Sequence, residues 1–136
     1  MYLKNRDIML GRIEKIEEKN SDFLVYNKDG TTNYVMIDPF PEDINKLILT
    51  FQNQPGTLIV YNTKENLDFI VKNWEDLARL QTLTIIFTNP NSLQDIKWII
   101  SPYVHDKITE PASLRSGLFS MFSTVDQLSK KEAEQL

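Results

Sequence analysis

The chain has 136 residues, of which 41% are apolar and 25% are charged, and it contains no cysteine and one histidine. This composition is typical of an ordinary globular domain, and it excludes a disordered chain, a disulfide scaffold and the usual zinc ligand sets. The net charge of −4 disfavours nucleic-acid binding, because that function depends on clustered Lys and Arg.

The sequence also indicates where the protein resides. Its longest apolar runs are strand-sized and too short to span a bilayer, and charged residues occupy the N-terminal positions where an export signal would be apolar. The lack of cysteine fits a reducing compartment. We therefore expect a cytoplasmic protein with a single α/β domain over residues 1–129 and a frayed tail over residues 130–136.

The first element has two interpretations. Met9, Ile13 and Ile16 recur at helical spacing, which predicts a helix over residues 7–19. Gly11 disfavours a helix by about 1 kcal/mol relative to Ala, so an extended strand is the alternative.

A β-hairpin is predicted next. Residues 23–26 and 34–37 are rich in β-branched and aromatic side chains, and they flank a turn that contains Asp29 and Gly30. An Asp-Gly pair adopts the positive φ angles of a tight turn, so the two strands should pair antiparallel.

A βαβ unit occupies the middle of the chain. After an apolar helical stripe over residues 44–51, the pattern predicts a strand at 57–61, a helix at 63–80 and a strand at 83–87. Asn62 is the predicted N-cap of the second helix. Such a unit implies two parallel strands with a right-handed connection.

The last elements are a strand and a helix. Residues 98–100 predict a short strand, and a helix beginning at Pro111 carries an apolar stripe. The order is thus roughly αββαβαβα. We predict an α/β fold with a mixed sheet of about five strands, an antiparallel hairpin, a βαβ unit and helices on the faces of the sheet.

The sequence lacks the usual phosphate-binding and catalytic motifs, including glycine-rich loops, H-E-x-x-H and G-x-S-x-G. Of its four glycines, Gly30 and Gly56 are attributed to turns and Gly117 to close packing of the last helix. Little backbone freedom remains for cradling a phosphate. No metal site and no cofactor are predicted.

His105 is the one candidate catalytic residue. As a general base it needs a carboxylate to orient its ring. Asp106 follows directly, but adjacent side chains in the extended or loop segment expected here point to opposite faces. A structural or exposed histidine is therefore favoured over a catalytic one.

A ligand site is predicted at the carboxyl edge of the parallel strands, where open α/β sheets usually bind ligands. The N-terminus of the middle helix and one lysine there favour an anionic ligand. The alternative is that Asn62 is only a cap. The candidate binding residues are Asn62, Thr63, Lys64, Thr88, Asn89 and Asn91.

An interface is predicted on the C-terminal helix, whose apolar residues span more of its circumference than one core contact requires. Phe119 lies beside the stripe that would dock on the sheet, and Leu118 and Phe122 are its apolar neighbours. An exposed aromatic residue is a common interface anchor. Burial of Phe119 in the core is the competing interpretation.

One resemblance covers about the last third of the chain. The segments TNP at 88–90, KWIISPYVHDKI at 97–108 and SLRSGL at 113–118 are similar to small uncharacterised proteins of alphaproteobacteria. The resemblance implies a bacterial cytoplasmic setting. It implies no activity, cofactor or catalytic residue.

Two functions from different classes follow. The first is a non-catalytic domain that binds a protein partner or forms a homodimer, because the recognisable apolar patterns are scaffold and no catalytic constellation is found. The second is a small-molecule domain that binds a nucleotide or an anionic metabolite at the strand ends. The first is favoured, and an enzyme is disfavoured.

Overall fold

The computed structural model describes residues 13–19, 22–91 and 97–125. It contains a mixed six-stranded sheet in the order β1-β2-β3-β4-β5-β6. The strands are β1 (Ile13–Lys19), β2 (Asp22–Asn27), β3 (Thr32–Ile37), β4 (Gly56–Tyr61), β5 (Leu83–Thr88) and β6 (Lys97–Ile100). The helices are α1 (Ile44–Phe51), α2 (Lys64–Lys72), α3 (Trp74–Ala78), α4 (Pro102–Ile108) and α5 (Pro111–Phe122). The predicted α/β class with a mixed sheet is confirmed.

The predicted hairpin is the antiparallel pair β2–β3. Gly30 has a φ of +89° in its turn, a conformation that favours glycine. Asp29 accepts hydrogen bonds from the hydroxyl and the backbone N–H of Thr31. The hydrogen bond from the Thr31 hydroxyl has the larger effect and that from its backbone N–H the next, and both lower the pKa of the Asp29 carboxyl. Turn chemistry therefore fixes this pairing locally.

The helix predicted over residues 7–19 is wrong for Ile13–Lys19, which form the edge strand β1 antiparallel to β2. The strand alternative is correct there. The Glu and Lys residues of this segment are good helix formers, but intrinsic helix preferences are small and pairing with an existing strand outweighs them. The first part of the predicted helix, residues 7–12, lies outside the described residues, as does the tail over 130–136.

Strands β3, β4 and β5 are parallel and adjacent, which confirms the predicted βαβ unit. The two connections, through α1 and through α2 and α3, both advance in the same direction across the sheet. Right-handed connections of that kind place their helices on the same side. All the described helices accordingly pack on one face, which we call the helix face; the opposite face, on which none of the described helices packs, is called the open face.

The core lies between the helix face and these helices. Alternate residues of β4 and β5 point into it, and Leu58, Val60, Ile85 and Phe87 are fully buried. Their helical partners include Leu47 and Phe51 of α1, Leu67 and Ile70 of α2, Trp74 and Leu77 of α3, and Leu118 and Phe122 of α5. Within the described ranges, no helix is long and apolar enough to cross a membrane.

The middle helix is broken where the sequence predicted it to continue over residues 63–80. Asn73 separates α2 from α3 and leaves the helical conformation, with φ −104° and ψ 20°. Its side-chain amide donates to the carbonyl of Phe69 at 2.9 Å. An asparagine that bonds a nearby backbone carbonyl in this way competes with helix continuation.

Two glycines do not have the roles that were predicted for them. A Cβ at Gly56 would collide with the ring of buried Phe51, so this glycine permits close approach of α1 rather than a turn. At Gly117 a Cβ would meet nothing within 4 Å. Close packing therefore does not explain Gly117.

Helix α4 was not predicted, because Pro102 was interpreted as the end of a strand. Here the proline is in the first turn of the helix, where it has no hydrogen bond to lose. Helix α5 begins at Pro111 as predicted. The two helices return the chain across the helix face after β6.

Candidate functional site

The strand ends bring several predicted ligand residues together, but below the surface. Asn62 and Thr63 are fully buried and Asn89 is nearly so. The backbone N–H of Asn62 donates to the carbonyl of Thr88 at 2.8 Å, and the backbone N–H of Asn91 donates to the Asn89 side chain at 2.9 Å. A ligand in solvent does not reach Asn62, Thr63 or Asn89.

The Asn62 side chain joins three parts of the fold. Its amide nitrogen donates to the carbonyls of Phe122, at 3.3 Å, and Val125, at 3.1 Å. Its amide oxygen accepts from the indole N–H of Trp98 at 2.7 Å. The C-terminal end of α5 thus closes over the edge of the sheet where an open cleft was predicted.

The N-cap of α2 is Thr63, and the assignment of the cap to Asn62 is wrong by one residue. The Thr63 hydroxyl accepts from the backbone N–H of Asn66 at 3.1 Å. The buried Asn66 side chain donates to the carbonyls of Pro39 and Tyr61. These polar groups hold the start of α2 against the sheet, and they have their partners within the protein.

Lys64 at the start of α2, which was also predicted to bind the ligand, is exposed. It lines a groove of about 480 Å³ between α2 and α5. We call this feature the α2–α5 groove. Its walls are Lys64, Leu67, Asp68 and Val71 of α2, and Ala112, Arg115, Ser116 and Phe119 of α5.

Each wall of the α2–α5 groove is one helical stripe. On both helices the lining residues fall at positions i, i+3, i+4 and i+7, which share one face over about two turns. Phe119 is 55% exposed, so its ring remains accessible at the wall. The predicted ligand residue Lys64 and the predicted interface residue Phe119 therefore belong to one surface.

The net charge of the groove is opposite in sign to that of the whole chain. Lys64 and Arg115 contribute two positive charges from facing walls, and Asp68 contributes one negative charge. Within the described part of the chain, neither cation forms an ion pair. A net charge of about +1 here contrasts with −4 for the whole chain, so the groove favours an anionic group next to apolar contacts.

The other two predicted interface residues are in the core. Leu118 is 2% and Phe122 is 4% exposed, and both pack with the helices on the sheet. Neither can contact a partner while α5 remains docked. Of the predicted trio, Phe119 alone is presented to solvent.

His105 lies in α4 and not in the predicted loop or strand end. Its Nδ1 atom is 3.1 Å from the carbonyl oxygen of Ser101, one turn earlier. Asp106 instead accepts a hydrogen bond from the indole N–H of Trp74 at 2.9 Å. The carboxylate next to His105 therefore serves to join α4 to α3, and it does not orient the imidazole.

In residues 13–19, 22–91 and 97–125, no group of three or more His, Asp and Glu residues is arranged to hold a metal ion. The features of the site are thus a groove, two cations and an exposed aromatic ring.

Arg115 and Ser116 line the groove but were not among the predicted site residues. The spacing 112, 115, 116 and 119 was a usable signal, because it repeats the spacing 64, 67, 68 and 71. Nothing in the sequence shows that these two stripes face each other. That juxtaposition requires the fold.

Comparison of the chain with protein-family models, with curated proteins and with solved structures found no match in any of the three. The function is therefore argued from the groove itself.

Proposed function

We propose that this protein is a non-catalytic interaction domain that binds an acidic amphipathic helix of a partner protein in the α2–α5 groove. The observation that carries the proposal is the meeting of Lys64, Arg115 and exposed Phe119 on one groove. Grooves between helices accept the apolar face of a third helix in a recurring mode of recognition.

The chemistry of the groove supports this partner. Exposed Phe119 and half-buried Val71 offer apolar contacts for side chains of the partner helix, while Leu67 beneath them is buried in the core. Lys64 and Arg115 lie where carboxylates at the border of the partner's apolar face would meet them. The groove extends over about two helical turns, or roughly 11 Å, which suits a short segment of a partner helix.

The setting proposed for this function is the bacterial cytoplasm. The cysteine-free sequence fits a reducing compartment, and the bacterial part of this proposal rests only on the resemblance expected for the last third of the chain, for which the comparisons found no match.

Peptide titration tests the proposal. The probes are a designed amphipathic helix with Glu at the borders of a Leu stripe, and the same helix with Lys in place of Glu. We expect the acidic peptide to bind and to lose at least about tenfold in affinity with Phe119→Asp, because anchor aromatics contribute 2 kcal/mol or more. Lys64→Glu and Arg115→Glu should also weaken binding, and the loss of affinity should be larger at low salt than at high salt.

Leu49→Asp is the matched control, because Leu49 is 72% exposed on α1 and lies outside the groove. It should leave affinity unchanged. Equal binding of both peptides, or an equal effect of Leu49→Asp, contradicts the proposal. A large loss of melting temperature in Phe119→Asp would assign Phe119 to the core instead.

A second function is favoured by the size of the groove, since about 480 Å³ lies within the usual range of small-molecule sites. In that case the two cations bind an anionic metabolite or a nucleotide. Phosphate, nucleotides and dicarboxylates should then raise the melting temperature, and Lys64→Ala should remove the effect. No stabilisation by any of them rejects this alternative.

A further inference from the structure

A second groove lies on another side of α2 from the α2–α5 groove. It has a volume of about 530 Å³, and it separates this helix from residues 40–42 of the loop that follows β3. We call it the loop–α2 groove. Asp68 lines both grooves, and the other α2 residues that line them differ, so α2 forms one wall of each.

Aromatic rings line both walls of the loop–α2 groove. Phe40 of the loop and Phe69 of α2 are half-buried, and the buried Pro41 lines the groove with them. A cation over the face of an aromatic ring is attracted by the quadrupole of that ring. The apolar part of this groove therefore suits a long cationic side chain, whose stem packs on carbon while its head stays near water.

Carboxylates accompany the rings on both walls. Glu42 lies on the loop, Glu65 and Asp68 lie on α2, and all three are exposed. Within the described ranges, none of these carboxylates forms an ion pair. Lys72 is the one cation of the lining, so the groove has a net charge of −2. Its charge is opposite in sign to that of the α2–α5 groove, and it favours a cationic group.

The loop wall is held in place by the protein itself. The buried side-chain amide of Asn66 donates to the carbonyl of Pro39 at 2.7 Å, and the backbone N–H of Tyr61 donates to the same carbonyl at 3.3 Å. The ring of Phe40 packs edge-to-face on Tyr61, with centroids 5.7 Å apart. A ligand therefore does not have to order this wall when it binds, which lowers the entropic cost of binding.

We propose that the loop–α2 groove binds a basic segment of a partner protein through an arginine side chain. A guanidinium stacks on an aromatic ring and forms paired hydrogen bonds with a carboxylate through the same planar group, whereas an ammonium is a point charge. Arginine is therefore favoured over lysine. This site is additional to the acidic-helix site of the α2–α5 groove, and neither depends on the other.

The exposure of the lining favours a peptide over a free small cation. All four charged side chains of the groove are exposed, whereas small-molecule sites bury most of the surface of their ligand. An exposed ion pair raises affinity by at most about fivefold. A free cation that makes one or two such pairs would bind very weakly, so contacts have to accumulate along a chain.

Fluorescence anisotropy with labelled peptides tests the proposal. The probe is a short flexible peptide with arginine at alternate positions, and the matched peptides carry lysine or citrulline, the neutral isostere of arginine, at the same positions. We expect the arginine peptide to bind, the lysine peptide to bind more weakly, and the citrulline peptide to show no measurable binding. Free arginine should not displace the arginine peptide at comparable concentrations.

Variants of the full chain locate the contact. Glu42→Lys combined with Glu65→Lys should lower the affinity for the arginine peptide at least about tenfold, because attraction becomes repulsion at both walls. Phe69→Leu keeps an apolar side chain without a ring and should cost about threefold. Glu75→Lys combined with Glu110→Lys is the matched control, since both residues are exposed outside the groove and the net charge changes equally. It should change affinity by less than about twofold at physiological salt.

Chemical-shift mapping on the wild-type chain supplies a measurement that needs no substitution. The arginine peptide should shift the amide signals of residues 40–42 and 65–72 and leave those of α5 in place. Absence of binding, or equal affinity of the lysine or citrulline peptide, overturns the proposal. So does an equal loss in the Glu75→Lys and Glu110→Lys control, because net charge alone would then explain binding. Displacement by free arginine would assign the groove to a small cation instead, and shifts confined to α5 would assign the peptide to the α2–α5 groove; either result also overturns the proposal.

Discussion

Successive residues of each strand point to opposite faces of the sheet, and side chains on the two faces differ strongly in burial. On the helix face, the cross-strand row Met36, Leu58, Ile85 and Ile100 is at most 3% exposed. The row one position along consists of Ile37, Ile59, Ile86 and Ile99, which we call the isoleucine row; none of its members is fully buried, and Ile99 is 45% exposed. Both rows are wholly apolar, so composition does not determine which of them is fully buried.

The connections between strands determine it. Parallel strands covered on both faces read as continuous apolar runs, and β4 and β5 read in this way. Here both crossovers advance in the same direction, so α1 and the α2–α3 pair lie on one side. An apolar run in a strand therefore indicates that both of its faces are apolar. The topology of the sheet determines on which face the connecting helices pack.

The largest expected effect comes from truncating the side chains of two adjacent β5 residues that point to opposite faces of the sheet. Ile85→Ala removes a fully buried side chain and should lower the free energy of unfolding by about 2–5 kcal/mol, because it leaves a cavity. Ile86→Ala removes a half-buried one and should cost about 1 kcal/mol or less. Urea denaturation of both variants at low protein concentration measures the difference.

Equal losses in the two variants would contradict the comparison of the faces. They would mean that the open face is as well covered as the helix face, and the isoleucine row would then be core. Leu58→Ala and Ile59→Ala form a second matched pair on β4, one buried and one half-buried, and they should reproduce the same order.

Local patterns predicted the central elements well, because each of them satisfies its own rule. The strands at 23–26, 34–37, 57–61 and 83–87 fall within β2, β3, β4 and β5. Their β-branched and aromatic residues, and the Asp-Gly turn, agree with the tertiary structure. The helix at 44–51 likewise presents its apolar stripe to the core.

Two elements depend on distant partners: β1, for which a strand was only the alternative prediction, and α4, which was not predicted. Strand β1 is rich in Glu and Lys, which are good helix formers, and it becomes a strand because β2 offers it an edge. Helix α4 is short and contains Pro102 and the β-branched Val104, and its Asp106 bonds Trp74 of α3. Tertiary contacts outweigh weak local preferences in both.

The candidate site was likewise predicted only where a local pattern identifies a residue, and not where it depends on tertiary contacts. Phe119 and Lys64 were identified one by one, from an unexplained aromatic and a cation at a helix start. Their meeting on one groove follows from the packing of α2 beside α5, which no spacing in the sequence reveals. Asn62 was assigned to a cap, because a buried bridge to Trp98 and α5 has no local signature.

A smaller effect is expected from Asn62, which joins the end of α5 to the sheet. Asn62→Ala leaves the indole N–H of Trp98 and two buried carbonyls without this partner. We expect a loss of about 2–4 kcal/mol in the free energy of unfolding, since each unsatisfied buried group costs about 1–3 kcal/mol. Amide hydrogen exchange should accelerate most in α5.

Asn91→Ala is the matched control at the same edge, because the Asn91 residue is exposed. It should change stability by no more than about 0.5 kcal/mol. If the two variants are alike, or if exchange in α5 is unchanged in Asn62→Ala, the helix layer is held by its apolar contacts alone.

The smallest expected effect concerns the margin of the helix face, where Tyr34 of β3 meets α1. Its ring packs edge-to-face on Phe51, with centroids 6.2 Å apart, and its hydroxyl donates to the Asp22 carboxylate at 2.6 Å. The hydrogen bond to Asp22, then burial, then the negative charge of Asp22 raise the pKa of Tyr34 to about 12.

The raised pKa gives the pH dependence its sign. An unfolded tyrosine ionises near its ordinary pKa of 10.0, so the folded state holds this proton more tightly, with a pKa of about 12. The stability that Tyr34 adds is therefore fully present below pH 10 and is lost as the pH rises toward 12. Tyr34→Phe keeps the ring on Phe51 and lacks the titrating group, so its difference from wild type isolates the effect.

Ultraviolet titration of phenolate, taken as wild type minus Tyr34→Phe, should show a midpoint near pH 12. In Asp22→Asn the carboxylate no longer opposes ionisation, so the midpoint should move down toward 10.0. Urea denaturation should show wild type losing stability relative to Tyr34→Phe across the same interval. A midpoint already near 10.0 in wild type would mean that the Tyr34–Asp22 hydrogen bond does not persist in solution, and that the helix face is open to solvent at its β2 margin, as the open face is at Ile99.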